Sequence, residues 1–314
     1  MDIINGLPIR FPYEKPVVTL GNFDGVHIGH RKIFARTVEK AAELGGTPVA
    51  LTFFPHPVSV LAPERGLRHI TISKDKSRLI AGCGIAVLVY IPFNREFAKT
   101  EPEEFIRKVL VDLIGAKWIV VGHSYAFGKG KRGTTDLLRR KGEACGFGVS
   151  VVRHASAEGD VVSSSRIRSF LLKGRVAEAA SMLGRAYHVD GVVVPGAGRG
   201  ESILRTPTAN LSIANEIIPR EGVYAVRISM DGEVLDGVAN IGSNPTFGGT
   251  EMSYEVHIFG VREYLVGKKL RVHFIERLRN EEAYPSVEAL KEQIKIDIEN
   301  AKRILNVSNL GLLV

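Results

Sequence analysis

The spacing of the apolar residues changes along the chain, and this change constrains the fold more than any other feature. In the first half, apolar runs predict strands at Val17–Leu20, Val49–Phe53, Ile85–Ile91, Trp118–Val121 and Val149–Val152. Helical periodicity between them predicts helices at His30–Leu44, Lys74–Cys83, Glu101–Ile114 and Thr135–Cys145. The third helix has the spacing of a capping box at Thr100 and Glu103. Strand–helix alternation of this kind predicts an α/β fold with a doubly wound parallel sheet.

The second half contains short alternating runs instead. They predict strands at Tyr187–Val194, Val223–Met230, Val234–Asn240, Ser253–Phe259 and Lys269–Ile275. A turn at Asp231–Gly232 predicts a hairpin, and a last helix is predicted from near Ser286. We therefore predict a first domain at residues 1–186 and a second domain, an antiparallel sheet or small barrel, at residues 187–314.

Composition excludes several classes of protein. The chain has 314 residues, and no apolar run reaches the length of about 18 residues that a membrane span needs. The start has no charged segment followed by an apolar stretch, so a signal peptide is not expected either. Cys83 and Cys145 are the only cysteines, so a disulfide framework is not expected. We expect a cytoplasmic enzyme. A net charge of +8 in short basic segments favours nucleotide-sized anions over nucleic acid. The oligomeric state stays open.

The segment from Gly21 to His30, GNFDGVHIGH, follows the first of these strands. Doubly wound sheets bind ligands at the carboxyl ends of their strands. Glycines such as Gly21 let the backbone approach a ligand, and a helix start offers N–H groups to an anion. His27 and His30 could stabilise charge on a phosphoryl oxygen. A plain helix start stays open as an alternative, whereas a zinc site lacks a third ligand at a convincing spacing.

A second segment, SSSRIR at residues 163–168, also points to phosphate. Serines cap helices, but Arg166 and Arg168 in a first turn oppose the helix dipole unless an anion is bound. In order and spacing, the two segments resemble the adenylyltransferases of the HxGH superfamily. The resemblance implies that His27 and His30 hold the α-phosphate of ATP in the transition state. It also implies phosphate or turn contacts for Asn22, Asp24, Ser164, Ser165 and Arg168.

Two loops narrow the resemblance to the FAD synthetase branch of that superfamily. They are TFFPHP at residues 52–57 and VVGHSYAFGKGKRG at residues 120–133. The resemblance implies flavin-side contacts for His56, Ser124 and Phe127, with Lys and Arg donors for the FMN phosphate. Ser124 stands where that family usually has Asn or Asp. The second loop alone could also be a solvated surface turn.

The second half carries its own phosphate-type pattern. Gly196, Gly198 and Gly200 follow a strand but no helix follows them, so the dinucleotide fingerprint is rejected. A flexible hairpin and a glycine flap over phosphates both stay open. Thr208 and Asn210 lie two apart in an extended segment and offer oxygen ligands that suit Mg²⁺. Glu255, in the apolar run SYEVHIF, is a candidate general base or an ordinary surface residue.

These motifs, with PTAN, NIGSNPTFGG and FIERLRNEE, resemble the riboflavin kinase module over residues 187 to 303. The resemblance implies a six-stranded Greek-key barrel with a C-terminal helix. Its implied roles are Mg²⁺ and ATP binding by Thr208 and Asn210, flavin binding by Arg277, and activation of the riboflavin 5′-hydroxyl by Glu255. The chain departs from the family at Leu204–Arg205 and at GVREYLVG after the HIF strand.

The order of the two modules resembles that of bacterial bifunctional riboflavin kinase/FAD synthetases, whose first module has a Rossmann-like sheet. The implied substrates are riboflavin, FMN and ATP, with Mg²⁺ as cofactor and FAD as product. Two alternatives stay open. The first is a FAD synthetase with a weakened or inactive kinase barrel, and the second is a flavin- or nucleic-acid-binding regulator on this scaffold.

Overall fold

The computed structural model describes residues 1–195, 208–242, 253–261, 265–308 and 311–312. The chain divides into two compact units, residues Met1–Val162 and Ser163–Val314. The domain boundary predicted near residue 186 marks the change in apolar spacing rather than this division. It stays a prediction. Within the described ranges, no helix is both long enough and apolar enough to cross a membrane.

The first unit is built on a parallel sheet of six strands, which confirms the predicted doubly wound fold. The strands are β1 (Asp2–Asn5), β2 (Val17–Leu20), β3 (Pro48–Phe54), β4 (Val87–Pro92), β5 (Trp118–Gly122) and β6 (Gly148–Val152). Their order is β1-β4-β3-β2-β5-β6, with β2 at the centre and fully buried. The edge strand β1 was not predicted, because its side chains are mostly exposed and alternate weakly.

Helices flank this sheet and close its core. They are α1 (Ile28–Leu44), α2 (Pro57–Leu61), α3 (Ser73–Ala81), α4 (Pro102–Phe105, continued by a π-helical segment Ile106–Leu113) and α5 (Thr135–Cys145). A two-stranded ribbon follows, formed by β7 (Ser156–Ala157) and β8 (Asp160–Val161). Because connections of this type bring every carboxyl end to one edge, the segments after β2, β3 and β5 share that edge of the sheet.

The predicted capping box at Thr100 and Glu103 is wrong. α4 begins at Pro102, and Glu101 is its N-cap residue without a side-chain cap. Proline suits a first helical position because its fixed φ is already helical and its missing N–H needs no partner there. Thr100 instead ends a short 3₁₀ turn.

The second unit is a closed barrel of six antiparallel strands, which confirms the predicted small barrel. Its elements are α6 (Ser164–Leu172), α7 (Val176–Leu183), β9 (Tyr187–Val194), β10 (Ala209–Ile213), β11 (Gly222–Met230), β12 (Glu233–Gly242), β13 (Ser253–Ile258), β14 (Lys269–Arg279) and α8 (Val287–Val307). The strand order is β10-β13-β12-β11-β14-β9. The predicted hairpin is present, since Met230 pairs with Glu233 across Asp231–Gly232.

The C-terminal helix packs on the barrel and is fixed there by a buried ion pair. α8 is capped by Ser286, whose side chain accepts a hydrogen bond from the Ala289 N–H at 3.1 Å. Asp297, only 3% exposed, accepts from the Arg279 guanidinium at 2.8 to 3.1 Å. This pair joins α8 to the end of β14, while Ala301 and Leu305 bury the apolar face of the helix.

Candidate functional sites

The two histidines of the GNFDGVHIGH segment lie together at the start of α1. His27 is the N-cap residue, and its Nδ1 accepts a hydrogen bond from the His30 N–H at 3.2 Å. The two rings stack with centroids 3.6 Å apart and planes inclined by 16°. Because Nδ1 accepts, a neutral His27 carries its proton on Nε2. That atom is therefore a donor suited to a phosphoryl oxygen.

Glycines make room for the aromatic rings of this segment. A Cβ on Gly29 would lie 3.2 Å from the His27 ring, and one on Gly21 would lie 2.7 Å from the Phe23 ring. These contacts give both glycines a packing reason, independent of any ligand. The predicted contact of Gly21 with ATP stays a prediction.

His30 is held in an apolar setting that favours its neutral form. Phe23 presents its ring at a centroid distance of 5.3 Å in an edge arrangement. Burial is the main cause that lowers the pKa of His30 well below its usual value, followed by the charges of His27 and Lys76. Its buried Nδ1 has no hydrogen-bond partner among the residues that the structure describes. A buried polar atom of this kind suits a ligand.

The turn before α1 is strained and is held by Asp24. Phe23 and Val26 have φ values of 50° and 40°, a region that costs a non-glycine residue about 1 to 3 kcal/mol. The Asp24 carboxylate accepts from the backbone N–H groups of Ile70 and Thr71 at 3.1 and 3.2 Å. This geometry agrees with a turn-shaping role for Asp24. Asn22 is anchored through its carbonyl oxygen, which accepts from Thr52 Oγ1 at 3.2 Å.

The flavin-side residues predicted in the first unit have different environments. His56 follows β3, the neighbour of β2, and its Nδ1 caps α2 by accepting from the Val58 N–H at 3.1 Å. Ser124 is exposed. Phe127 is 6% exposed and packs against Phe105 and Tyr125. Its ring is thus part of the core, and any role for it in flavin binding is to anchor the loop.

The basic residues of the same loop are already paired within the protein. Lys129 lies 3.1 Å from the Glu101 carboxylate, and Arg132 contacts the same carboxylate. All three side chains are largely exposed, so the pairs are weak and a phosphate could compete for the two cations.

In the second unit, the serine–arginine segment forms the start of α6. Ser163 is the N-cap residue, and its hydroxyl accepts from the Arg166 N–H at 3.3 Å. Ser164, Ser165 and Arg168 therefore belong to the helix rather than to its cap. No acidic residue lies in the first turn, so the positive end of the dipole is reinforced by arginine. This is the charge pattern that an anion would relieve.

Strand pairing brings the candidate kinase residues onto one face of the barrel. Glu255 on β13 lies directly opposite Asn210 on β10 and opposite Asn240 on β12. Opposite residues in a sheet point to the same face, with Cβ atoms about 4.5 to 5.5 Å apart. The alternate residues Ala209 and Val256 are buried in the barrel. Hence the carboxylate of Glu255 has amides as cross-strand neighbours, not the apolar side chains of its sequence neighbours.

The structure describes only some of the remaining predicted positions. Thr208 lies just before β10, half-buried, so its orientation relative to Asn210 stays a prediction. The Arg277 guanidinium donates to the Glu221 carbonyl oxygen and to Asn280 Oδ1, the latter at 2.9 Å. These contacts hold the barrel end, and the predicted flavin contact of Arg277 stays a prediction. Gly196, Gly198, Gly200 and the Leu204–Arg205 departure lie outside the described residues.

Two further residues were missed because their sequence context is ordinary. Lys76 lies in a helix rich in charged residues, and only the structure shows that its side chain is buried. Asn240 ends an apolar run that carries no motif, and only strand pairing places it beside Glu255. The sequence offered one signal for Lys76: it lies four residues before the apolar Ile80 and hence on the same side of the helix.

Two family models match the chain, one for each of the candidate sites. The model described as FAD synthetase matches residues 12–166, and the model described as Riboflavin kinase matches residues 183–305. A solved structure from Streptococcus pneumoniae, described as a macrolide-efflux protein, is 31% identical with a TM-score of 0.87, over 96% of this chain and 99% of that one. That description names another activity, and it carries no weight in the family assignment.

Curated relatives match both halves at once. A bifunctional riboflavin kinase/FMN adenylyltransferase of Escherichia coli K12 is 34% identical over 311 residues, 98% of this chain and 99% of the relative. Its counterpart from Bacillus subtilis 168 is 36% identical over 302 residues, 94% of each chain. These matches give no support to the alternatives of a single activity or a regulator. The chain belongs to the family of bifunctional riboflavin kinase/FMN adenylyltransferases.

Proposed function

We propose that the stacked pair His27 and His30 stabilises the transition state of FMN adenylylation. In that reaction a phosphate oxygen of FMN attacks the α-phosphorus of ATP, a P–O bond forms, and pyrophosphate leaves. Negative charge grows on the α-phosphoryl oxygens. The observation that carries the proposal is the Nδ1 hydrogen bond of His27, which leaves Nε2 protonated. Positioned donors of this kind contribute about 2.7 to 4 kcal/mol each.

The other phosphate contacts follow from the resemblance and from the local geometry of each segment. Asn22 and Asp24 are proposed to shape the turn. Gly21, which packs against the Phe23 ring, is proposed to let ATP approach its backbone. Ser164, Ser165 and Arg168 are proposed to bind the outer phosphates of ATP, since the first turn of α6 gathers cations and hydroxyls at its positive end. His56 and the loop of Ser124 and Phe127 are proposed to bind the flavin side of FMN.

For riboflavin phosphorylation, we propose Glu255 as the general base. The riboflavin 5′-hydroxyl attacks the γ-phosphorus of ATP, ADP leaves, and the hydroxyl proton passes to the Glu255 carboxylate. Its half-buried position between two amides keeps it reachable and oriented. Arg277 and the glycines at 196, 198 and 200 are proposed to contribute flavin and phosphate contacts.

Mg²⁺ fits the same face of the barrel. The Asn210 carboxamide beside the Glu255 carboxylate, with the Thr208 hydroxyl two residues earlier, forms a set of hard oxygen donors. Thr208 and Asn210 would hold the ion, which supplies charge neutralisation to the ATP phosphates when bound. Both reactions consume ATP and the described cysteines are free, so we also propose a cytoplasmic location.

The proposal is tested by separating the products of the purified protein supplied with riboflavin, ATP and Mg²⁺. FMN should appear first and FAD afterwards, and omission of Mg²⁺ should stop both. FAD formation that continues in a His27→Ala, His30→Ala double variant would remove the histidine pair from the reaction.

A further inference from the structure

Lys76 has a buried ammonium group beside the turn that precedes the histidine pair. The residue is 9% exposed, and its Nζ lies 3.5 Å from the carbonyl oxygen of Asn22. In the part of the chain that the structure describes, this is its one hydrogen bond. The ammonium also lies 5.4 Å from the centroid of the Tyr90 ring. Since an ammonium carries three N–H donors, its hydrogen-bonding capacity is largely unused.

Among the residues that the structure describes, the ammonium of Lys76 forms no ion pair. Burial lowers the pKa of Lys76, and the Asp24 carboxylate opposes that change. That carboxylate, however, is already bound to the N–H groups of Ile70 and Thr71. Placing an ammonium in such a setting is costly, because its lost hydration is not replaced by a paired charge.

The charge of Lys76 acts on His30. The charges that act on His30 come from His27 at the same helix start and from Lys76 of α3, and both act with burial to lower the pKa of His30. Asp24, in the turn before α1, acts on Lys76 in the opposite direction and raises its pKa. A fixed cation near His30 also complements the negative charge of a bound polyphosphate.

We propose that Lys76 is a positioning residue of the FMN adenylyltransferase site, whose ammonium anchors the turn through the Asn22 carbonyl and sets the electrostatic potential at His30. The inference rests on the role proposed above for His30. Lys76 contacts the turn at the Asn22 carbonyl oxygen. We assign its effect to His30 and to the shape of the turn.

Three variants test the proposal in the full-length protein: Lys76→Met removes the charge, Lys76→Arg keeps it, and Lys74→Met is the control. Lys74 is exposed in the same helix. In Lys76→Met, the titration of His30, followed by NMR in the ligand-free protein, should move to higher pH. The acid limb of kcat/KM for FAD formation should move with it, and kcat should fall about tenfold or more. FMN formation should not change, and Lys74→Met should match the unmodified protein.

A folded Lys76→Met protein with unchanged His30 titration and unchanged kcat would overturn the proposal. A Lys76→Met protein with a lower melting temperature but an unchanged kcat and His30 titration would also overturn it, because Lys76 would then serve stability alone. If Lys76→Met does not fold, Lys76→Arg decides: an upward shift of the His30 titration despite the retained charge contradicts the proposal. Failure of the histidine assignment is separate, since it would appear as undiminished FAD formation in His30→Ala.

Discussion

The imidazole ring of His30 lies over that of His27, with the centroids 3.6 Å apart, and the backbone N–H of His30 donates to the His27 Nδ1. One residue thus fixes both the ring orientation and the tautomer of the other. The backbone bond requires α1 to start at this point, so the geometry of the pair is a property of the helix start.

Gly29→Ala should disturb the pair without unfolding the protein. The new methyl group would meet the His27 ring at 3.2 Å, so the ring must shift by a few tenths of an ångström. We expect a loss of about tenfold to a hundredfold in kcat for FAD formation, since small misplacements are costly at a reacting phosphorus. Gly82→Ala is the control, because its Cβ would have only ordinary contacts. Equal rates in the two variants would contradict the account.

Glu255→Gln should lower kcat for FMN formation by about 10²–10⁴-fold, because the amide keeps the size but cannot take the proton. Riboflavin binding and FAD formation from supplied FMN should change little. Glu233→Gln, at an exposed position of β12, is the matched control. A variant with a raised KM and a normal kcat would show that Glu255 binds substrate or ion rather than a proton.

Asp297→Ala should destabilise the barrel unit by about 3 to 5 kcal/mol, because it leaves the Arg279 guanidinium partly buried without its carboxylate. Denaturant unfolding measures this change. Asp231→Ala removes an ion pair with Lys268 of similar length, but both of those side chains are largely exposed. That control should lose no more than about 1 kcal/mol. Similar losses of unfolding free energy in the two variants would contradict the role of Asp297 in holding α8 on the barrel.

Acid should weaken the barrel through His273. Burial is the main cause that lowers the pKa of His273 to about 3, and the neighbouring charge of His188 acts in the same direction. The folded state therefore keeps the ring neutral where the unfolded chain, with a pKa of about 6.5, binds a proton. The stability that this neutral ring contributes is present above pH 6.5 and is lost as the pH falls towards 3, by at most about 1.4 kcal/mol per unit.

The measurement is the urea midpoint at pH 7 and at pH 5 in the unmodified protein and in His273→Gln. The unmodified protein should lose more stability between the two pH values than the variant does. An equal loss would show that His273 does not govern the acid sensitivity. The ring also hydrogen-bonds Ser229 Oγ at 2.9 Å, so His273→Gln is chosen to retain a polar partner for that hydroxyl.

The sequence predicts the central elements of both units because their apolar periods are strong. Val17–Leu20 and Tyr187–Val194 are predicted with the bounds that the structure gives them. Short or exposed elements are predicted less well. The edge strand Asp2–Asn5 has little apolar contrast, and β10 was predicted only as an extended segment, because its pairing with β9 and β13 is a long-range property.

The candidate sites divide in the same way. His27 and His30 could be predicted as a pair because a helix start brings residues three apart together. The neighbours of Glu255 could not, since its pairing with Asn210 joins positions 45 residues apart along the chain. Burial of Lys76 likewise depends on the turn that packs over α3, which no local pattern reveals.

The central claim is that one chain carries two chemically separate phosphorus-transfer sites, and the most direct test crosses two variants with two substrates. FMN formation from riboflavin and FAD formation from supplied FMN are measured in His30→Ala and in Glu255→Gln, with circular dichroism to confirm folding. We predict that His30→Ala loses FAD formation and keeps FMN formation, and that Glu255→Gln does the reverse. Loss of both activities in either folded variant, or loss of the same activity in both, would contradict the account.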